Sequence, residues 1–136
     1  MKKHILLAED NKDLADILSV TLAFFGYEIV VIADGLKAVE SAISLHPDLI
    51  VIDMMMPKMD GFQAVPQLRH HPETKNIPIL AHTALALGGD RERCLAIGCD
   101  DYISKPCTPK ELAAAIQRLL QRTSAEKPNA LNLPRG

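Results

Sequence analysis

Two hydrophobic periods alternate along this chain, and that alternation limits the folds open to it. Short apolar runs at Ile5–Ala8, Ile29–Ile32, Leu49–Ile52, Ile77–Ala81 and Tyr102–Ile103 have the length and residue types of strands. Between them lie segments of helical period. From Asn11 to about Phe25, Leu14, Ile17, Leu18 and Leu22 recur on one helical face, and Gly26 ends the run. A second helix is predicted from Gly35 to Leu45, with Asp34 as N-cap and His46–Pro47 as its stop. A third starts at Asp60–Gly61 and runs to about His70, with Pro66 expected to bend it or sit in its early turns. A fourth spans Asp90 to Ile97, between Gly88–Gly89 and Gly98. The last opens on Thr108–Pro109–Lys110–Glu111, a capping box with proline at the first helical position.

Five strand-then-helix units predict an α/β fold, a five-stranded parallel sheet wound with helices on both faces. Nearly continuous apolar strands fit burial on both sides. The predicted domain covers residues 1–122. Residues 123–136, rich in Ser, Glu, Lys, Pro and Asn, read as a disordered tail or linker stub.

Composition narrows the function classes. With a formal net charge of −2 over 136 residues, no broad basic field is available to grip nucleic acid. No apolar stretch approaches the roughly 20 residues of a membrane span, and Lys2–Lys3 precede no signal-peptide core. Cys94, Cys99 and Cys107 show neither CxxC nor zinc-ligand spacing and read as reduced thiols. A cytoplasmic location is the expectation.

Ligands in such sheets bind beyond the carboxyl ends of the strands. Those ends carry Glu9–Asp10, Asp53, His82–Thr83 and Lys105–Pro106. Converging carboxylates repel one another unless a cation sits among them, and hard oxygen ligands suit Mg²⁺. A carboxylate can also attack phosphorus to give an acyl phosphate, where charge neutralisation matters more than acid–base chemistry. Other polar features read as structural. Asp60–Gly61 is a turn and cap, Met54, Met55, Met56 and Met59 pack or cover the loop, and His70–His71 is an exposed helix end. His82 has no role in this reading.

The order and spacing of Glu9–Asp10, Asp53 to Pro57 with Asp60–Gly61, Thr83–Ala84 and Asp100 to Pro106 resemble the two-component response-regulator receiver domain. The likeness covers about residues 3–122. It implies the chemotaxis-type, flavodoxin-like fold with strand order 2-1-3-4-5. It also implies that Asp53 accepts the phosphoryl group and that Thr83 and Lys105 contact it. Glu9, Asp10, Asp53 and the backbone carbonyl of Met55 would bind Mg²⁺. Thr83 and Tyr102 would act as the switch, and Lys105–Pro106 would be cis. The implied partner is a sensor histidine kinase or histidine phosphotransfer protein, and the implied readout is the surface of the fourth helix, fifth strand and fifth helix.

Two departures carry expectations. The family places side chains beside the path of attacking water at Met55 and Leu85, both apolar here, so slow hydrolysis of the phosphoryl group is expected. The chain also resembles receivers of winged-helix transcription factors, which pair through charged residues matched by Arg91, Asp101 and Glu111. Ala115 stands where a basic partner for Asp101 is expected, so a monomer or weak dimer follows. Three rival readings differ in class. A phosphorylation-independent receiver-like binding module would keep the fold without the chemistry. A phosphatase of the haloacid dehalogenase type would carry DxD, but Met55 stands two residues after Asp53. A nucleotide-binding protein would carry GxGxxG after the first strand, which is absent.

Overall fold

In the computed structural model, the description covers residues 2–84 and 88–132, without the side chains of 123–132. The element order is β1 (His4–Ala8), α1 (Lys12–Phe24), β2 (Glu28–Ile32), α2 (Gly35–Leu45), β3 (Leu49–Ile52), α3 (Gly61–His70), β4 (Ile79–Thr83), α4 (Asp90–Ile97), β5 (Asp101–Ser104) and α5 (Pro109–Asn132). All strand pairings are parallel, and the sheet order is β2-β1-β3-β4-β5.

Side-chain alternation along the strands builds two cores. Leu6 and Ala8 point to one face, where α2, α3 and α4 cover them with Ala38, Ala42, Leu68 and Cys94. Ile5 and Leu7 point to the other, where α1 and α5 cover them with Leu18, Leu22, Ile116 and Leu119. The central strands are buried on both sides as expected. The edge strand β2 is not, and its Val30 and Val31 are 39% and 41% exposed. An apolar run alone does not distinguish a central strand from an edge.

The helix starts follow the expected chemistry. Asn11 Oδ1 accepts from the Leu14 N–H at 3.0 Å, and Asp34 Oδ1 accepts from the Lys37 N–H at 2.8 Å. Asp60 and Gln63 close a capping box, and so do Thr108 and Glu111. Two boundaries differ from expectation, those of β4 and α5, while α3 ends where expected. β4 begins at Ile79 rather than Ile77, because Pro78 cannot donate to a ladder and the Ile77 N–H is engaged by Thr74 O at 3.0 Å. Pro66 lies inside α3, yet the helix runs on to His70. α5 continues to Asn132, past the boundary expected at residue 122, through the helix formers Ala125, Glu126 and Lys127. Side chains of the predicted tail lie outside the described residues.

Arg69 joins three elements beneath the sheet edge. Its guanidinium donates to the carbonyls of Gly98 (2.8 Å), Lys75 (3.0 Å) and Ile77 (2.6 Å) and to Asp100 Oδ2 (2.6 Å). Asp100 Oδ2 also accepts from the Ile79 N–H at 2.8 Å. This network ties α3 to the entry of β4 and the turn into β5. Replacing Arg69 with Ala is expected to lower unfolding free energy by about 2 kcal/mol, since charged hydrogen bonds are lost and acceptors left unpaired. Urea denaturation checks this. Lys12→Ala, which removes one exposed i,i+4 ion pair, is expected to change stability by less than about 0.5 kcal/mol.

Candidate functional site

The parallel sheet brings the ends of β1, β3 and β4 together on one edge, and the β5–α5 loop closes over them. Glu9 and Asp53 are almost fully buried, at 2% and 6% exposure, whereas Asp10 is exposed. Carboxylate oxygens of Glu9, Asp10 and Asp53 lie within 4.8 Å of one another. The backbone sets Asp53 in place, its N–H donating to Ala8 O at 3.0 Å. The loop beyond it is folded back by the Gly61 N–H, which donates to Met54 O at 3.0 Å. A Cβ at Gly61 would collide with Met54, so this close approach requires glycine.

Lys105 enters from the opposite side. Its Nζ donates to Glu9 Oε1 at 2.7 Å and to Asp53 Oδ2 at 2.8 Å. Its own N–H donates to Thr83 O at 2.9 Å, which fastens the loop to the end of β4. The remaining oxygens are held by backbone. Asp53 Oδ1 accepts from the Met55 N–H at 2.9 Å, and Glu9 Oε2 accepts from the Asn11 N–H at 3.1 Å. Burial alone would lower the Lys105 pKa, but hydrogen bonds and charge from Asp53 and Glu9 outweigh it and raise the value. The ammonium is therefore fully charged at neutral pH. The ion-pair contribution to stability is complete below the ordinary lysine value and lost only as pH rises through the raised one.

Thr83 is fully buried, and its hydroxyl has no hydrogen-bond partner among the described residues. Its carbonyl oxygen accepts from the Lys105 N–H, so it stands next to the Lys105-bearing loop. Tyr102 is half-buried against the α4-side core, and the β4–β5 register sets it beside Ala81 and sets Ser104 beside Thr83. Thr83 and Tyr102 thus share a face of the sheet. The Lys105–Pro106 peptide is cis. Met54 and Met56 are buried and Met55 is 58% exposed on the rim. Leu85 lies outside the described residues.

The three acids form a donor set suited to a hard divalent cation such as Mg²⁺, with exposed Asp10 leaving room for water ligands. The Lys105 ammonium bridges two of them, Glu9 and Asp53. A model of the response-regulator receiver domain matches residues 5–117. The chain belongs to the response-regulator receiver family. The receiver is 44% identical over 122 residues to the probable transcriptional regulator ycf27 of Cyanophora paradoxa, covering 90% of this chain and 50% of that protein. It is 39% identical over 120 residues to the DNA-binding dual master transcriptional regulator RpaA of Synechocystis, covering 88% and 50%. It spans about half the length of these curated relatives. Among solved structures it superposes on the receiver domain of the Pseudomonas aeruginosa sensor histidine kinase PA1611, crystallised with a magnesium ion in its active-site cleft. There the TM-score is 0.82 and identity 38%, over 89% of this chain and 99% of that one.

One expectation for the receiver's pairing surface is corrected. Ala115 is 1% exposed and faces the α1/α5 core, so it does not occupy a surface position opposite Asp101. The helical period turns Leu112, Ala115, Ile116 and Leu119 inward and leaves Arg118 as the exposed base beside Ile103 and Ser104. Arg91 meets Asp101 within the chain at 3.2 Å, and Glu111 accepts from the Thr108 N–H.

Sequence reading gave His82 no role, yet it sits at this edge. It is 3% exposed, and its Nε2 lies 3.5 Å from Cys107 Sγ. Burial, then the charge of Lys105, push its pKa down to about 4, against an opposing pull from Asp53. The signal available in sequence was a histidine inside an otherwise apolar strand. Because the folded-state value lies below that of the unfolded chain, the folded receiver resists protonation that the unfolded chain accepts. Stability is expected to fall as pH drops from about 6.5 toward 4. Unfolding midpoints across that range should decline less steeply in His82→Leu than in the wild type.

Proposed function

We propose that this receiver takes a phosphoryl group onto Asp53 from a phosphohistidine on a sensor kinase or phosphotransfer protein. The observation that carries the reading is the double contact of Lys105 with Glu9 and Asp53, beside a third carboxylate at metal-binding spacing. Asp53 Oδ1 or Oδ2 attacks phosphorus as the phosphorus–nitrogen bond of the donor breaks. The donor imidazole leaves with the electron pair, and the product on the receiver is an acyl phosphate. Lys105 neutralises charge on the transferred group, and Thr83 Oγ1 donates a hydrogen bond to one of its oxygens. Glu9, Asp10, Asp53 and the carbonyl of Met55 would hold Mg²⁺, which when bound neutralises the remaining charge. The reaction is self-phosphorylation rather than turnover of a separate substrate.

The added charge of about −1.5 to −2 would draw Thr83 toward the phosphoryl oxygens and let Tyr102 turn inward, changing the surface of α4, β5 and α5. We place this work in the cytoplasm, within residues 1–122, with residues 123–136 as a linker or tail. Output passes through a protein partner or a further domain, not through nucleic-acid contacts of this chain. A monomer or weak dimer suits the modest charges on the pairing face. The chemotaxis-type likeness lies in architecture, whereas the curated relatives named above are transcriptional regulators.

Intact mass after incubation with acetyl phosphate is expected to show a gain of one phosphoryl that requires Mg²⁺ and disappears in Asp53→Asn. No gain in the wild type would contradict the reading. The exposed Met55 thioether cannot orient a water molecule, so Met55→Asn is expected to shorten the phosphoryl lifetime. Decay followed by intact mass after donor removal would check this, and an unchanged lifetime would contradict it.

A further inference from the structure

Histidine is costly at position 82. Leu80 and Leu112 belong to the apolar cluster on the α1/α5 face, with Ile103 and Cys107 packed against it. His82 shares the Leu80 side of β4, by strand alternation. Its Nδ1 is buried with no hydrogen-bond partner among the described residues. A buried unpaired polar atom lowers stability, and an apolar side chain would avoid that cost. Packing therefore gives no reason for histidine here.

Geometry gives one. The β3–β4 register pairs Ile52 with Ala81, so one residue further along, Asp53 comes beside His82. From that place the ring reaches across to Cys107, two residues beyond Lys105, with Nε2 and Sγ 3.5 Å apart. The backbone bond from Lys105 N–H to Thr83 O holds the start of the same loop. The His82–Cys107 contact holds its end. The first fastening is made by Lys105 itself, and the second holds the loop two residues beyond the ammonium that meets both Glu9 and Asp53.

We infer that His82 is a positioning residue for phosphorylation: through Cys107 it fixes the loop that carries Lys105 against β4, and so sets where the ammonium meets the phosphoryl group. The inference rests on the receiver reading above and deepens it. It accounts for a polar group kept inside an apolar cluster at a cost to stability, as happens where function requires it.

The test compares wild type, His82→Leu, His82→Gln, Cys107→Ala and the double variant His82→Leu/Cys107→Ala. Each full chain is phosphorylated with acetyl phosphate over a range of Mg²⁺ concentrations, and its melting midpoint is measured. His82→Leu is expected to slow phosphoryl gain by about tenfold or more, the scale on which small misplacements act. Its midpoint at neutral pH should be unchanged or higher, and the Mg²⁺ concentration for half-maximal rate unchanged. His82→Gln, which keeps a neutral hydrogen-bonding group, should recover part of the rate. Cys107→Ala alone should slow the reaction, and the double variant should be no slower than His82→Leu. Wild-type rates in His82→Leu and Cys107→Ala would overturn the inference, as would a joint fall of rate and midpoint in His82→Leu, or fully additive effects. A wild type that gains no phosphoryl at all would instead bring down the receiver reading, and this inference with it.

Discussion

The receiver's edge is organised around one ammonium group held between two buried carboxylates. Two unit charges of like sign about 4 Å apart repel by about 4 kcal/mol near a protein surface. Glu9 and Asp53 could not share this place without compensation. Lys105 supplies it directly, at 2.7 and 2.8 Å, and the N–H groups of Asn11 and Met55 hold the outer oxygens. Asp10 then adds a third carboxylate on the open side. The result is a site with surplus negative charge, which favours a divalent cation.

The scaffold serves that arrangement. Parallel strands end together, so residues distant in sequence meet at one edge. Arg69 fixes the far end of β4 through Asp100 and the Ile77 carbonyl, and the loop after β5 is fastened to the near end of β4 through Thr83 O. β4 thus carries the unpaired Thr83 hydroxyl on one face and His82 on the other. Tyr102 shares a face with Thr83.

Much of this was legible in the sequence, for identifiable reasons. Strand and helix periods differ sharply here, and caps such as Asp34 and Thr108 act locally, so element order followed from short windows. The strand-end residues Glu9, Asp53, Thr83 and Lys105 stood out because each interrupts or follows an apolar run. What short windows could not supply was pairing across the fold. The four-way grip of Arg69 and the exposed face of β2 depend on tertiary neighbours. The contact between His82 and Cys107 depends on register and loop closure together, and neither residue belongs to the motif that carried the family resemblance.

The most direct measurement is the melting midpoint of the full chain as Mg²⁺ is added at constant ionic strength, in the wild type and in Asp10→Ala. A ligand that binds only the folded state raises the midpoint with its concentration. Asp10 is exposed, so its removal should leave the fold intact while opening the donor set. A Mg²⁺-dependent rise is expected in the wild type and should be largely lost in the variant. No rise in the wild type, or an equal rise in both, would contradict the assignment of this acidic edge as the metal-assisted phosphorylation site.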